Sequence, residues 1–218
     1  MAIDPAHLES LMIFPLEDVV FFPGTLFPLH VFEPRYRQMT RDAVEQERPI
    51  AMATIDPSGE LDSYGRPRVR PYAGVGHIVE SEELPDGRFL VVLGGELRVR
   101  IVDEYAPERP YRLVRAVTVP DEPGDDQSMR ESLDALRGLV MTMRASNARL
   151  ASVISEEMEK HPDPAVFTNR LASMIGGDTD QQYRMLETIR VSDRVRAVME
   201  KVSDILARIS AQSKSTMN

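Results

Sequence analysis

Between Pro120 and Asp126 the spacing of the apolar residues changes, and that change limits the fold more than any other feature of the chain. Before it, β-branched and aromatic runs alternate with Gly, Pro and Asp, the pattern of strands and hairpins. After it, apolar residues recur every three or four positions, the pattern of amphipathic helices. The expected fold class is therefore α+β. Residues 1–122 are read as a β-rich subdomain, 123–212 as a helical bundle and 213–218 as a flexible polar tail.

In the first part, Leu11 to Leu16 and Val19 to Phe22 read as short strands. Glu33-Pro34 opens one inserted helix, since proline at the first helical position gives up an N–H that would have no partner there. Tyr36, Met39, Ala43 and Val44 share a face of it, Pro49 ends it, and Ile50 to Ile55 resumes as strand. Residues 56–72 form a long irregular stretch, and loops of that length tend to be functional or mobile. Val75 to Ser81 and Phe89 to Leu93 flank the turn Leu84-Pro85-Asp86-Gly87. Gly94-Gly95-Glu96 is expected to turn the chain again, into Leu97 to Val102, and Tyr111 to Val119 supplies the last strand. About six mostly antiparallel strands suffice for a small curled barrel. The second part shows four helical stripes: Leu133 to Met143, Val166 to Ile175 (stopped by Gly176-Gly177), a short helix behind Thr179, and Val195 to Ile209.

Composition narrows the function classes. The net charge is −9, with 13 Arg against 19 acids in residues 1–120 and 13 basic residues against 16 acids beyond. Neither half carries the basic surplus that neutralising phosphates demands, so nucleic acid is an unfavoured partner. No apolar run is long enough to span a bilayer, and the acidic Met1-Ala2-Ile3-Asp4-Pro5 start lacks the features of a signal peptide. No membrane role is expected. The chain has no cysteine, which removes disulfides and thiol chemistry; the cytoplasm is the expected location.

Several segments together resemble one family. Pro15-Leu16-Glu17-Asp18-Val19-Val20-Phe21-Phe22-Pro23, continuing through Pro28-Leu29 to Glu33-Pro34-Arg35-Tyr36, is similar to the opening of the Lon protease N-terminal, substrate-binding domain. Gly74-Val75-Gly76-His77-Ile78, Leu84-Pro85-Asp86-Gly87 and Gly95-Glu96-Leu97-Arg98-Val99-Arg100-Ile101 resemble later strands and a turn of that domain. Leu186 to Val195 is similar to its closing helix pair. The matches come in the right order along nearly the whole chain, and Phe32-Glu33-Pro34-Arg35-Tyr36 is closer to stand-alone bacterial relatives than to the protease. The resemblance implies a PUA-like six-stranded β pseudo-barrel with one inserted helix, followed by a helical bundle. It also implies family-motif roles, structural on the plainer reading, for Pro15, Pro23, Pro28, Glu33, Arg35, Tyr36, Gly95 and Arg98.

Catalytic motifs of a full Lon enzyme are missing. There is no G-x-x-x-x-G-K-[ST] phosphate loop, and none of Lys160, Lys201 and Lys214 lies in a setting like that of a Ser–Lys dyad. A chain of 218 residues is also expected to leave no space for ATPase and peptidase modules. No enzymatic activity, cofactor or metal is expected. His7, His30, His77 and His161 are isolated, and Glu82-Glu83 and Asp125-Asp126 read as solvated turn acids.

Binding features remain. Phe21, Phe22 and Phe27 around Pro23-Gly24 either pack the core or form an apolar docking surface for unfolded or specific protein segments. Arg66, Arg68 and Arg70 are either a solvated face or a contact for an acidic partner. The favoured function is a non-catalytic protein- or peptide-binding module, an adaptor or degron reader in protein quality control, with a separate Lon-type protease as a further partner. The alternative is an RNA-binding PUA-like module; a third class, an uncharacterised hydrolase, rests on the acids alone.

Overall fold

A strand covered on both sides needs apolar residues at consecutive positions, and Leu11-Met12-Ile13-Phe14-Pro15 supplies five. In the computed structural model, which describes residues 3–175 and 177–215, these five are buried in β1 (Leu11–Leu16). Met12 and Phe14 enter one core cluster, Leu11 and Ile13 another. The neighbouring strand, β3 (Ile50–Ile55), divides in the same way: Ile50 and Met52 go to the first cluster, Ala51 and Ala53 to the second. The chain separates into two units, residues 1–120 and 121–218.

Unit 1 holds a short helix, α1 (Pro5–Leu8), and all six strands of the described residues. The others are β2 (Leu26–Val31), β4 (Val69–Glu83), β5 (Phe89–Glu104) and β6 (Arg112–Thr118). Their order is β2-β5-β4-β3-β1-β6, and β5 also pairs with β6, so the pairings from β5 round to β6 return on themselves. The sheet is mixed. β1 and β3 run parallel and the other pairs antiparallel. A parallel pair needs a long crossover, and here β2 and α2 (Pro34–Glu45) provide it. β2 pairs with the first half of β5 alone, so among the described residues its other edge has no strand.

Three expectations are corrected. Val19 to Phe22 is not a strand, and the strand of that region is β2. β4 begins at Val69, within the stretch expected to be irregular. Gly94-Gly95-Glu96 does not turn the chain: β5 runs straight through it, with Gly95 opposite Gly76, Leu97 opposite Val75 and Glu96 as the bulged residue. The glycines there serve close approach. A Cβ on Gly74 would lie 2.0 Å from the Phe21 carbonyl oxygen, and one on Gly95 2.3 Å from that of Phe22. The chain from Val19 to Phe22 therefore lies directly on the sheet, and Gly24 and Thr25 pin it by backbone bonds of 2.9 and 2.8 Å to Gly95. The Leu84–Gly87 turn is as expected, with Gly87 at φ 76°.

Unit 2 has five helices among the described residues, one more than the periodicity gives: α3 (Asp126–Met143), α4 (Ala148–Lys160), α5 (Pro164–Ile175), α6 (Thr179–Glu187) and α7 (Val191–Ser215). α4 escapes a pattern search because the positions it buries are Ala151, Ile154 and Glu157. The Glu157 carboxylate accepts from Arg170 Nε at 2.5 Å, which holds its pKa below the usual glutamate range against the opposing effect of burial. Side-chain caps start α3, α4 and α6 from Asp125, Asn147 and Asp178. Arg194 is 1% exposed and grips Asp121 through two bonds of 2.7 Å. The helix α7 extends to Ser215, into the expected tail; residues 216–218 lie outside the described residues, as does Gly176 of the expected Gly176-Gly177 stop. No described helix is long and apolar enough to cross a membrane.

Candidate functional site

The alternation of β2 and β5 builds an apolar face on the outside of unit 1. In β5, Phe89, Val91 and Leu93 point into the core, so Leu90, Val92 and Gly94 point out. In β2, Val31 is buried with Phe27 and Leu29 packed on the same cluster, so Leu26, Pro28 and His30 point out. The register stacks these outer residues in rows. His30, Leu90 and Glu82 are successive neighbours across three strands, and Pro28, Val92 and Glu80 form the next row. An extra residue, Val79, bulges from β4 and lies over Gly94, where a Cβ would meet its Cγ1 at 2.8 Å and Leu26 Cδ2 at 3.8 Å.

The result is an open groove of about 580 Å³. Leu90 and Val92 form its floor, Pro28 and His30 one side, and Glu80 and Glu82 the other. Large apolar side chains cluster around it: Leu26 is 66% exposed, Phe32 62%, Val79 55% and Leu90 43%. Phe32 continues the apolar side, its ring set edge-on to His30 at 6.2 Å between centroids. Exposed apolar residues gathered in one place, unlike single ones, mark surfaces built to be covered. On the acidic side, Glu83 is held by Arg41 at 2.6 Å, whereas Glu80 and Glu82 have no cationic partner among the described residues.

The residues singled out in the sequence fall elsewhere. Phe21 and Phe22 are 1% and 0% exposed, which corrects the reading of them as a docking surface: the glycine-floored path described above presses both into the core. Phe27 is half-buried and sets its ring edge-on to Phe21 at 6.0 Å. Arg66, Arg68 and Arg70 do not form a free basic patch. Arg66 bonds Asp62 at 2.7 Å and lies 3.4 Å from Glu104, Arg68 bonds Glu60 at 2.7 Å, and Arg70 is also engaged. The acids of Arg66 and Arg68 lie in the same loop or at the end of β5, so their charge is met within the fold.

The family-motif positions fall mostly away from the groove. Pro15 is buried in β1 and Pro23 is half-buried. Tyr36 is stacked on Phe14 at 4.0 Å, with the Arg35 guanidinium over its ring at 4.5 Å, and burial pushes its phenol pKa up. Arg35 in turn bonds Glu33 at 2.9 Å. Gly95 and the buried Arg98 are built into β5. Only Pro28 of this set reaches the groove. Of the histidines, His30 lines the groove, His77 is buried against Glu96 at 2.5 Å, and His161 lies 3.7 Å from Glu157.

Sequence reasoning missed Leu26, Phe32, Val79 and Leu90. A signal was present: Phe89 to Leu93 is apolar at every position, which means that both faces of that strand are apolar.

A profile of the family described as the ATP-dependent protease La (LON) substrate-binding domain matches residues 10–204. The chain belongs to the Lon substrate-binding domain family. Among its relatives, the Lon protease of Trichlorobacter lovleyi is 30% identical over 92% of this chain and 24% of its own length. Lon protease 2 of Myxococcus xanthus is 26% identical over 88% of this chain and 23% of its own length. The chain thus spans about a quarter of the length of these Lon proteases. Two solved structures share the fold. The N-terminal domain of Mycobacterium avium complex Lon protease superposes with a TM-score of 0.69 at 18% identity, covering 89% of this chain and 98% of that one. A Lon N-terminal domain protein from Xanthomonas campestris gives 0.64 at 20% identity, covering 88% and 97%. The description of the family names it as the substrate-binding domain of that protease.

Proposed function

We propose that this domain captures extended apolar segments of other proteins in the groove over Leu90 and Val92, acting without chemistry of its own as an adaptor or degron reader in cytoplasmic protein quality control. The observation that carries this reading is the clustering of Leu26, Phe32, Val79 and Leu90 at the surface of a substrate-binding domain. Sheet faces of this kind accept extended chain, because alternate side chains of the ligand meet a floor with the same repeat. We read the returning circuit of strand pairings as the PUA-like pseudo-barrel, residues 1–122 as the subdomain that bears the groove, and residues 123–212 as a helical subdomain. A separate Lon-type protease is the natural recipient of captured segments. RNA is the weaker reading, since Arg66 and Arg68 are paired within the fold and the net charge is −9.

Fluorescence anisotropy with a labelled, permanently unfolded protein such as carboxymethylated lactalbumin tests the site. Replacing Leu90 by Ser and Phe32 by Ala removes apolar area worth about 2 kcal/mol on burial, so the double variant is expected to weaken binding by tenfold or more. Val102→Ser, on the other half of β5, serves as control. Equal affinity of the wild-type and double-variant proteins would sink the reading.

A further inference from the structure

Across the sheet, the groove pairs each apolar floor residue with a carboxylate: Leu90 stands opposite Glu82 and Val92 opposite Glu80. The other neighbours of the same two residues, His30 and Pro28, carry no acid. The groove therefore has an apolar floor with negative charge along one side only. Both acids are exposed, and neither is neutralised by a cation among the described residues. The nearby Glu83 is treated differently, being tied to Arg41 at 2.6 Å.

Resting on the binding reading above, we infer that the groove selects extended protein segments in which lysine or arginine alternates with apolar residues. Lys and Arg fit such a row at both ends, since their methylene stems cover apolar surface while the charged head reaches past it. Here the stem lies on Leu90 or Val92 and the head meets Glu82 or Glu80. The spacing fits as well. The two acids are two residues apart on one strand, so their side chains repeat every ~6.5 Å, which is also the repeat of every second side chain in an extended ligand. Segments with Asp or Glu at those positions are repelled.

The test uses the full chain and three labelled nine-residue peptides with the same apolar residues. Their alternate positions are Lys in the first, Ser in the second and Glu in the third, and binding is read by anisotropy at low salt. Exposed ion pairs are individually weak, so two of them are expected to favour the Lys peptide over the Ser peptide by about fivefold to twentyfold. That advantage shrinks as salt is raised. Glu80→Gln/Glu82→Gln is expected to abolish it, so that the Lys and Ser peptides bind the variant alike. Glu187→Gln/Glu200→Gln, equal in charge change but in the other unit, is expected to preserve it. The inference is overturned if the Lys and Ser peptides bind alike, if the advantage survives Glu80→Gln/Glu82→Gln, or if the control pair removes it equally. Binding of all three peptides with the same affinity defeats charge selection alone and leaves the groove reading intact. Failure of all three to bind removes both.

Discussion

Phe22 and Leu26 are four residues apart and end in opposite surroundings, the first wholly buried and the second two-thirds exposed. The same contrast runs through β5, where Leu93 is covered completely and Leu90 remains 43% exposed three positions earlier. Hydrophobicity does not distinguish the members of either pair. What does is backbone path: glycines at 74 and 95 let the Phe21–Phe22 segment lie on one side of the sheet, and nothing among the described residues of unit 1 lies over Leu90 and Val92 on the other. An apolar residue left uncovered beside a fully packed core is better explained by what it binds than by what it stabilises.

Substitutions should separate the two sides. The largest effect is expected from Phe22→Ala, which empties a filled core position and costs about 3–5 kcal/mol in urea unfolding. Gly74→Ala comes next, at about 2–3 kcal/mol, because the new methyl group meets backbone and not a movable side chain. If it unfolds like wild type, the account of why Phe21 and Phe22 are buried fails. Charged groups allow the same contrast at smaller scale. Glu157 is buried and paired whereas Glu80 and Glu82 are open, so Glu157→Gln is expected to lose about 1 kcal/mol at neutral pH. Because the folded state holds the Glu157 pKa down, its contribution is fully present above the ordinary glutamate value of about 4.3 and fades as pH falls through the lowered one. Melting curves between about pH 5 and 3 should accordingly fall less steeply for Glu157→Gln than for wild type. Leu90→Ser should leave stability within about 0.5 kcal/mol while weakening peptide binding, since its side chain already faces solvent. Smallest of all is Arg68→Ala: both partners of its ion pair with Glu60 are more than half exposed, and a change beyond about 0.5 kcal/mol in thermal unfolding would contradict that placement.

Much of the fold was legible in the sequence, because the features that set it are local. Pro34 at the start of α2 and Asp86-Gly87 in the hairpin turn act within a few residues of themselves. The change of period near residue 120 separates strand-rich from helical sequence in the same local way. What sequence reading missed depends on contacts across the chain. Gly94-Gly95 reads as a turn until the strand is seen to need room for Phe22, whose carbonyl comes from more than seventy positions earlier. Val19 to Phe22 has strand composition yet pairs with no strand, for the same reason. Glu157 breaks the helical stripe of α4 because its charge is answered by Arg170 on the following helix. The groove was hidden likewise: its floor and sides come from three strands, and only their register shows that Leu26, Val79 and Leu90 share a face while Phe21 and Phe22 do not.

The unpaired edge of β2 bears on how such a surface survives in a crowded solution. An open edge next to exposed leucine and phenylalanine invites copies of the chain to stack strand upon strand. Pro28 sits in the middle of that edge strand and has no N–H to donate, so a ladder built there is broken at its centre. Mutual repulsion between chains of net charge −9 opposes stacking as well. Both features let an apolar face stand open at less risk of stacking with copies of itself.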